Sequence, residues 1–547
     1  MTALDLLLIA LAAISWLLLV TRVAAVAARM LQIEEYENAR FLRWGMARSW
    51  LLHRSTLACT LVSVAALAGA FAAQNEGSRV IASGWLAGSL VAALLWRWTA
   101  AKKQLVLTAR MRRLAGGTAL LGALFAVGVT FLLANDQWVA AGVFIVLFGC
   151  VTIAAQSLLI TANVLLQPVE GAVRRGYLRS AAQRLRDVAP VVVAVAGSYG
   201  KTSTKHILAA LLAPSVVTLP TRKSFNTLMG VTRVINEDLR SEHRVFVVEM
   251  DAYAAGEIAA MSELVHQRIA VLTSVGPQHL ERFRTVDRIA AALYEVVQGL
   301  PPDGVAVMHG GEAMIAGLAG RAATEGRTVV RYGVVAESAA SLDVVARDVR
   351  LDATGASFRW EWRARELARD VRIPLLGRHQ VLNVTAALAV VALLDQDLDA
   401  AVAAAARLEP VEHRLQPLRT GGPVTVIDDS YNANPVGVHN GLEVLAAMNG
   451  GRKILVTPGL VELGSVEEEE NRRYGEHAAA VCSDVIVMEA RPAVALQAGL
   501  RAGGLAPEHI HLVRSLDEAT AVIGRVSRPG DVVLFANDLP DTYLPAR

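Results

Sequence analysis

Five apolar stretches crowd into the first 167 residues, at 3–20, 55–73, 80–96, 114–133 and 138–166. They constrain the fold more than any other feature of the chain. About 20 apolar residues in helical form cross the hydrocarbon layer of a bilayer, and a helix satisfies its own backbone hydrogen bonds there. The competing solution is to bury five such runs in a water-soluble core, and the segment holds too little polar sequence to cover one. The first run is long, aliphatic and followed by no small-residue cleavage site, so it reads as a span and not a signal peptide. The hydrophobic fraction of 54% and mean hydropathy of +0.41 come from this segment. The rest has the composition of a globular protein.

The charges between the runs set a topology. Arg22, Arg29, Arg40, Arg43, Arg48 and Arg54 follow the first run, and Arg97, Lys102, Lys103, Arg110, Arg112 and Arg113 follow the third. The second connection holds only Glu76 and Arg79, and the fourth only Asp136. Positive loops stay in the cytoplasm. Five spans then put the N-terminus outside and everything after residue 167 in the cytoplasm, anchored in the cytoplasmic membrane. Residues 170–188 carry Arg174, Arg175, Arg179, Arg184 and Arg186. They read either as an amphipathic helix on anionic membrane lipid or as a solvated connector. A net charge of +3 gives no argument for nucleic acid. Cys59, Cys150 and Cys482 show no metal or disulfide spacing, which fits a reducing compartment.

After the last run the sequence changes character. Val191-Val-Val-Ala-Val195 reads as a buried parallel strand. It leads into Ala196-Gly-Ser-Tyr-Gly-Lys-Thr-Ser-Thr204 and then a helical segment. Strand, glycine turn and helix place backbone N–H groups and a helix N-terminus around phosphates. Gly197 and Gly200 let the backbone approach closely. Ser198 and Tyr199 form the turn between them. Lys201 supplies a charge for the β- and γ-phosphates, and Thr202, with Ser203 beside it, a hydroxyl for magnesium. The spacing is shorter than the common GxxxxGK[ST] pattern, whose first glycine would fall at Val195.

Further motifs follow in order: Ser224-Phe-Asn-Thr-Leu-Met-Gly230, Phe246-Val-Val-Glu-Met-Asp251, Thr273-Ser-Val-Gly-Pro-Gln-His-Leu280, Leu376-Gly-Arg-His-Gln-Val-Leu-Asn383, His413-Arg-Leu-Gln416 and Ile427-Asp-Asp-Ser-Tyr-Asn-Ala-Asn-Pro435. With the shortened loop they resemble the Mur ligase family of ATP-dependent amide ligases over residues 190–547. The last string is closest to the branch that adds D-alanyl-D-alanine to a muramyl tripeptide. The resemblance implies ATP and Mg2+ as cofactors and an acyl-phosphate reaction. Lys201, Glu249 and His279 would be catalytic, with Thr202, Glu249 and His279 near metal. Gly197 to Ser203, Asn383, Arg414 and Asp429 would hold the nucleotide. Asn226, Thr227, Tyr431, Asn432 and Asn434 would meet substrate. His279 is expected to hold a second metal or to orient the substrate carboxylate. Arg414 would reach the phosphates across a cleft as a bidentate donor. Asp429 would accept from ribose or fix a hinge, and Asn383 lie near the base.

Two departures from the family pattern carry information. Family members often hold a carbamylated lysine in the helix after the histidine strand, and Leu293 stands at that position. No lysine occurs between Lys223 and Lys453, so a second metal would be held otherwise, with Glu295 as a candidate. The soluble domain that grips a UDP-sugar is replaced by the apolar segment. A cell-wall precursor that is lipid-linked, or delivered at the membrane surface, is therefore the expected acceptor, with an amino acid or dipeptide as amine.

From about residue 409 strand-like and helical stretches alternate, which predicts a Rossmann-like layer. The loop Thr457-Pro-Gly-Leu-Val-Glu-Leu-Gly464 follows a strand and reads as either a substrate contact or a structural turn. The expected architecture is an α-helical membrane domain (1–167), an amphipathic linker helix (168–189), and α/β beyond: a P-loop central ligase domain (190–408) and the Rossmann-like C-terminal domain (409–547). Two other functions compete with cell-wall ligation. One is a membrane-bound synthetase of the poly-γ-glutamate type. The other is a transporter or scaffold switched by ATP, against which the near absence of ionisable residues in the spans counts.

Overall fold

The computed structural model describes residues 2–34, 36–47, 54–95, 105–223, 225–334, 342–418, 423–431 and 433–538. The chain divides into two compact units, one ending at Arg175 and the other beginning at Gly176.

The first unit is helical. Five of its helices are long and apolar enough to cross a membrane: Ala3–Ile33, Arg54–Ala73, Gly77–Leu95, Ala109–Ala134 and Val151–Val188. Glycine and serine let the second and third lie close. Gly84 faces Ala66, and Gly88 faces Cys59. Trp16 packs its ring 5.9 Å from Trp85 and 4.8 Å from Phe125. Arg113 makes a two-pronged pair with Glu170 at 2.7 and 2.9 Å.

The fifth apolar stretch departs from the expected single span. It forms two helices, Trp138–Phe148 and Val151–Val188, with the break at Gly149 and Cys150. The first piece has 11 residues, about 16 Å at 1.5 Å per residue, too short to span alone. A break inside apolar surroundings strands backbone carbonyls, and these need a partner. The Trp16 indole N–H supplies one, donating to the Gly149 carbonyl at 2.7 Å. The second piece runs without interruption through Pro168 and the arginine-rich segment to Val188.

The second unit contains two sheets. The strands of the larger are β1 (Val191–Ala196), β2 (Thr218–Pro220), β3 (Val245–Glu249), β4 (Ile269–Leu272), β5 (Val305–His309), β6 (Thr328–Val334), β7 (Val344–Asp352), β8 (Gly355–Trp362) and β9 (Leu367–Ile373). Their spatial order is β2-β3-β1-β4-β5-β6-β7-β8-β9. Pairing is parallel through β7, and β8 and β9 return antiparallel. Continuous Val, Ile and Ala runs suit the parallel strands, because helices cover both faces. β1 lies between β3 and β4, with Val195 beside Glu249 and Ala196 beside Leu272. The loops after these three strands therefore emerge together, where strand order reverses and ligands bind in open α/β sheets.

The smaller sheet has β10 (Gln416–Leu418), β11 (Thr425–Asp429), β12 (Lys453–Thr457), β13 (Asp484–Met488), β14 (Ile510–Val513) and β15 (Val532–Ala536), in the order β10-β11-β15-β12-β13-β14. All pairs are parallel except β10 with β11. Asn537, just past β15, ties this sheet's loops together. Its Oδ1 accepts from the Ala433 N–H at 3.1 Å, and its Nδ2 donates to the Gly459 carbonyl at 2.6 Å. Asn537 thus has a structural role within this sheet's loops.

Candidate active site

The glycine loop begins as β1 ends. Gly197 and Gly200 have φ of 140° and 79°, which L side chains rarely adopt. A Cβ on Gly197 would lie 2.2 Å from Thr273 Oγ1 and 2.9 Å from the Ser274 nitrogen. The loop after β4 is thus the mould of the turn. The Ser198 N–H donates to Ser274 O at 2.8 Å, and the Tyr199 N–H to Ser274 Oγ at 2.8 Å. The Gly276 N–H donates to Ser198 Oγ at 2.9 Å. The helix Lys201–Leu212 starts immediately, with Gly200 as its N-cap, so its free N–H groups face the turn.

Lys201 is 6% exposed. Its ammonium donates to the Gly197 carbonyl, to Ser198 O at 3.3 Å and to Gln278 Oε1 at 3.4 Å. It also pairs with Asp251 at 3.1 Å. Thr202 Oγ1 donates to Glu249 Oε1 at 3.0 Å, and Asn226 Nδ2 to the same oxygen at 3.2 Å. The other oxygen of Glu249 accepts from Lys205 at 2.9 Å. Lys205 and Glu249 are 0% and 1% exposed, a buried ion pair on which the sequence reading was silent.

One cavity of about 840 Å3 brings the motifs together. Residues 198–203, Asn226, Glu249, His279, Asn383, Arg414, Asp429, Tyr431 and Asn434 all line it. Asn383 sits in the helix Arg378–Leu393, accepting from Thr204 Oγ1 at 3.2 Å and donating to Gln380 Oε1 at 3.0 Å. Arg414 lies over the Tyr431 ring at 4.8 Å. Surrounding protein lowers the Arg414 pKa from its ordinary value, with Asp429, Tyr431 and Glu249 opposing. Burial pushes Asp429 up to about 7 although Arg414 pulls the other way. Its carboxylate accepts from the Leu415 N–H at 3.1 Å.

Two expectations turn out differently, and a third residue takes on a second role. Thr227 does not line the cavity; its hydroxyl accepts from the Gly230 N–H at 3.4 Å and caps the helix Leu228–Asp238. Glu295 is committed elsewhere: its carboxylate accepts from the N–H groups of Gly256 and Ala259 at 2.7 and 3.0 Å. It therefore caps the helix Glu257–Val265 and does not line the cavity. Asn434 lines the cavity but also caps, accepting from the Gly437 N–H at 2.7 Å. Asn432 and Ser224 lie outside the described residues.

His279 follows β4 with φ of 56° and is 6% exposed. Its Nδ1 lies 2.8 Å from Glu462 Oε2, and its Nε2 is buried without a hydrogen-bond partner. Glu462 comes from the loop after β12, which also docks through the Glu281 N–H donating to Glu462 O at 3.2 Å. Burial acts to raise the Glu462 pKa, but the hydrogen bond and charge of His279 hold it below its ordinary value. Sequence spacing carried no signal for this pair, 183 residues apart.

Comparison with known proteins adds a second line of argument. Residues 195–391 match the family described as the Mur ligase middle domain, and 413–537 the Mur ligase glutamate ligase domain. The chain is 33% identical over 296 residues to the UDP-N-acetylmuramoyl-tripeptide–D-alanyl-D-alanine ligase of Escherichia coli, covering 54% of this chain and 64% of that protein. It is 32% identical over 366 residues to the ligase of the same name from Mycobacterium bovis, covering 63% and 69%. It therefore spans about two thirds of these relatives' length. Among solved structures it resembles MurF from Acinetobacter baumannii, with TM-score 0.60 and 27% identity over 68% of this chain and 78% of that one. It also resembles MurF ligase from Thermotoga maritima in complex with ADP, with TM-score 0.58 and 26% identity over 66% and 80%. Both family matches begin after the helical unit.

Proposed function

Because the chain belongs to the Mur ligase family, we propose that it is an ATP-dependent amide ligase. In this reading it adds D-alanyl-D-alanine, or another amino acid, to a cell-wall muropeptide precursor. The ligation would take place at the cytoplasmic face of the membrane in which the helical unit is embedded. The observation that carries the reading is the shared cavity: the Gly197–Ser203 loop faces the same space as Glu249, His279, Arg414 and Asp429.

The chemistry transfers the γ-phosphoryl group of ATP to a substrate carboxylate. The amine then attacks the acyl phosphate and phosphate leaves. Such steps are accelerated mainly by positioning and by neutralising charge. In this P-loop, Lys201 rests on Gly197, Ser198, Gln278 and Asp251. Phosphate oxygens would draw the ammonium off these partners. Arg414 would approach the same phosphates from the Rossmann-like side, as a planar donor suited to two oxygens. Thr202 Oγ1 and Glu249 Oε1, 3.0 Å apart, are hard oxygen donors of the kind magnesium takes, and they fit it. The ion, when bound, would neutralise charge on the β- and γ-phosphates. Asn226, held on Glu249, and Tyr431 would border the acceptor.

A lipid-linked acceptor is the reading that gives the apolar helices a purpose. The test is the purified full-length protein in detergent with ATP, D-alanyl-D-alanine and either UDP-linked or lipid-linked precursor. A new amide product by mass spectrometry, with one phosphate released per bond, is expected. Acceptor-independent ATP hydrolysis with no amide would overturn ligation, and equal or better turnover of the UDP-linked form would overturn the lipid-linked acceptor. Lys201→Ala is expected to abolish product formation while the helical unit stays intact, and wild-type turnover in that variant would refute the site.

A further inference from the structure

One cluster of charge in the helical unit is left unbalanced. Arg110 opens the helix Ala109–Ala134. Its guanidinium lies over the Tyr36 ring, 3.8 Å from the centroid, and its Nε is buried without a hydrogen-bond partner. The segment that presents it is pinned within the unit. Gln32 Nε2 donates to the Val106 carbonyl at 2.9 Å, and the Val106 N–H donates back to Gln32 Oε1 at 3.0 Å. The charges of Glu170, Arg113 and Arg174 act on Arg110. Glu170 is the one carboxylate of these, and Arg113 takes both of its oxygens, at 2.7 and 2.9 Å. Arg174 stands four residues after Glu170 in the helix Val151–Val188, on the same face, and is exposed. Among the described residues neither Arg110 nor Arg174 has a carboxylate within ion-pair distance. A buried donor without an acceptor is costly, so Arg110 calls for an anion that the chain does not supply.

We propose that this cluster holds the diphosphate of a membrane lipid, with Arg110 and Arg174 as its ligands and Arg113, fixed by Glu170, as the wall between them. A guanidinium presents two parallel N–H groups to phosphate oxygens, and the aromatic ring beneath Arg110 steadies that fork. The positive end of the 26-residue helix that Arg110 opens adds to the field. Once Arg113 and Glu170 cancel, the charges of Arg110 and Arg174 remain. They match the double charge of a diphosphate esterified at both ends, whereas a phosphodiester lipid brings a single one. Both surplus charges flank one ion pair, so they are bunched and suit phosphates joined through one oxygen better than phosphates on separate arms. Basic pockets between membrane helices on the cytoplasmic side take lipid headgroups in this manner, and the loop charges would put the cluster on that side.

The site presupposes the membrane reading of the helical unit and deepens the lipid-linked acceptor, but it needs no ligation. The test places the full-length protein in phosphatidylcholine nanodiscs carrying a polyprenyl-diphosphate sugar, cardiolipin or phosphatidylglycerol. Lipid retained after transfer to detergent is counted by native mass spectrometry. A further arm adds inorganic pyrophosphate to the protein in detergent. Wild type is expected to keep one diphosphate lipid per chain. Arg110→Gln and Arg174→Gln should each weaken retention at least about tenfold, and Arg175→Gln, the same charge change one residue on, should leave it unchanged. Because Arg174 is exposed, its variant tests the site even where Arg110→Gln unsettles the helices. No retained lipid in wild type, or an equal loss in Arg175→Gln, would overturn the proposal. Cardiolipin or phosphatidylglycerol held as tightly, or pyrophosphate bound as well as the lipid, would overturn a lipid diphosphate as the occupant. A protein that does not enter nanodiscs would refute the membrane reading instead. Lipid retention without amide formation would sink ligation and leave this site standing.

Discussion

Lys201 and Lys205 stand one helical turn apart and do different work. Lys205 is enclosed, donating to the Lys223 carbonyl and pairing with Glu249 at 2.9 Å, with exposures of 0% and 1%. Removing one partner of a buried pair leaves an uncompensated charge and costs about 3–5 kcal/mol. Glu249 keeps Thr202 and Asn226 at 3.0 and 3.2 Å, so Lys205→Met belongs near the lower end, about 3 kcal/mol. At roughly 2–4 °C per kcal/mol, the ligase unit should melt about 6–12 °C lower. The measurement is a thermal melt of the detergent-solubilised protein, followed by a signal from the ligase unit. Lys205→Met/Glu249→Gln removes both charges and should recover much of the loss, because a neutral amide costs far less to bury. Lys201→Met should disable nucleotide binding with a smaller change in melting. A Lys205→Met melt within about 2 °C of wild type, or a double variant worse than the single, would refute this account.

Gly197→Ala should lower nucleotide affinity more than 100-fold, because its Cβ would meet Thr273 Oγ1 at 2.2 Å; wild-type-like binding in dialysis would show that the turn is not moulded as described. Asp429, pushed up to about 7 from 3.8 by burial, favours the fold when protonated. That contribution is full below about pH 4 and is lost as pH rises through 7; the corresponding fall in melting temperature should be absent in Asp429→Asn, and its persistence would exclude this carboxyl as the source. Trp16→Phe removes the donor to Gly149 at 2.7 Å and should destabilise the helical unit by about 1–3 kcal/mol, the cost of an orphaned buried carbonyl; an unchanged melt of that unit would refute the role given to the indole.

What was legible in the sequence was local. Val191–Ala196, Lys453–Thr457 and Val532–Ala536 are strands because continuous β-branched runs suit a sheet covered on both faces. The glycine turn was legible because two φ-positive positions and a lysine at the helix start leave few alternatives. Lys205, Asp251 and Glu462 were not singled out, for one shared reason. Each matters through a partner 44, 50 and 183 positions away, respectively, and no spacing rule encodes such a distance. The break at Gly149 was hidden for the opposite reason. Hydropathy is blind to a two-residue interruption within an apolar run, and the Trp16 indole that makes it tolerable lies 133 residues earlier. Thr227 and Asn434 carry side chains that suit either a ligand or a helix cap; in the structure both cap a helix, and Asn434 also lines the cavity.

The contact between His279 and Glu462 has a consequence for the order of events. The imidazole hangs from the larger sheet and the carboxylate that aims it from the smaller one. Neither half alone holds a correctly poised nitrogen. A chain severed between the two sheets could therefore retain the phosphate loop and still be unready, because readiness is a property of their meeting. In the proposed reaction, nucleotide bound before that meeting would not be spent, and timing would follow from the architecture.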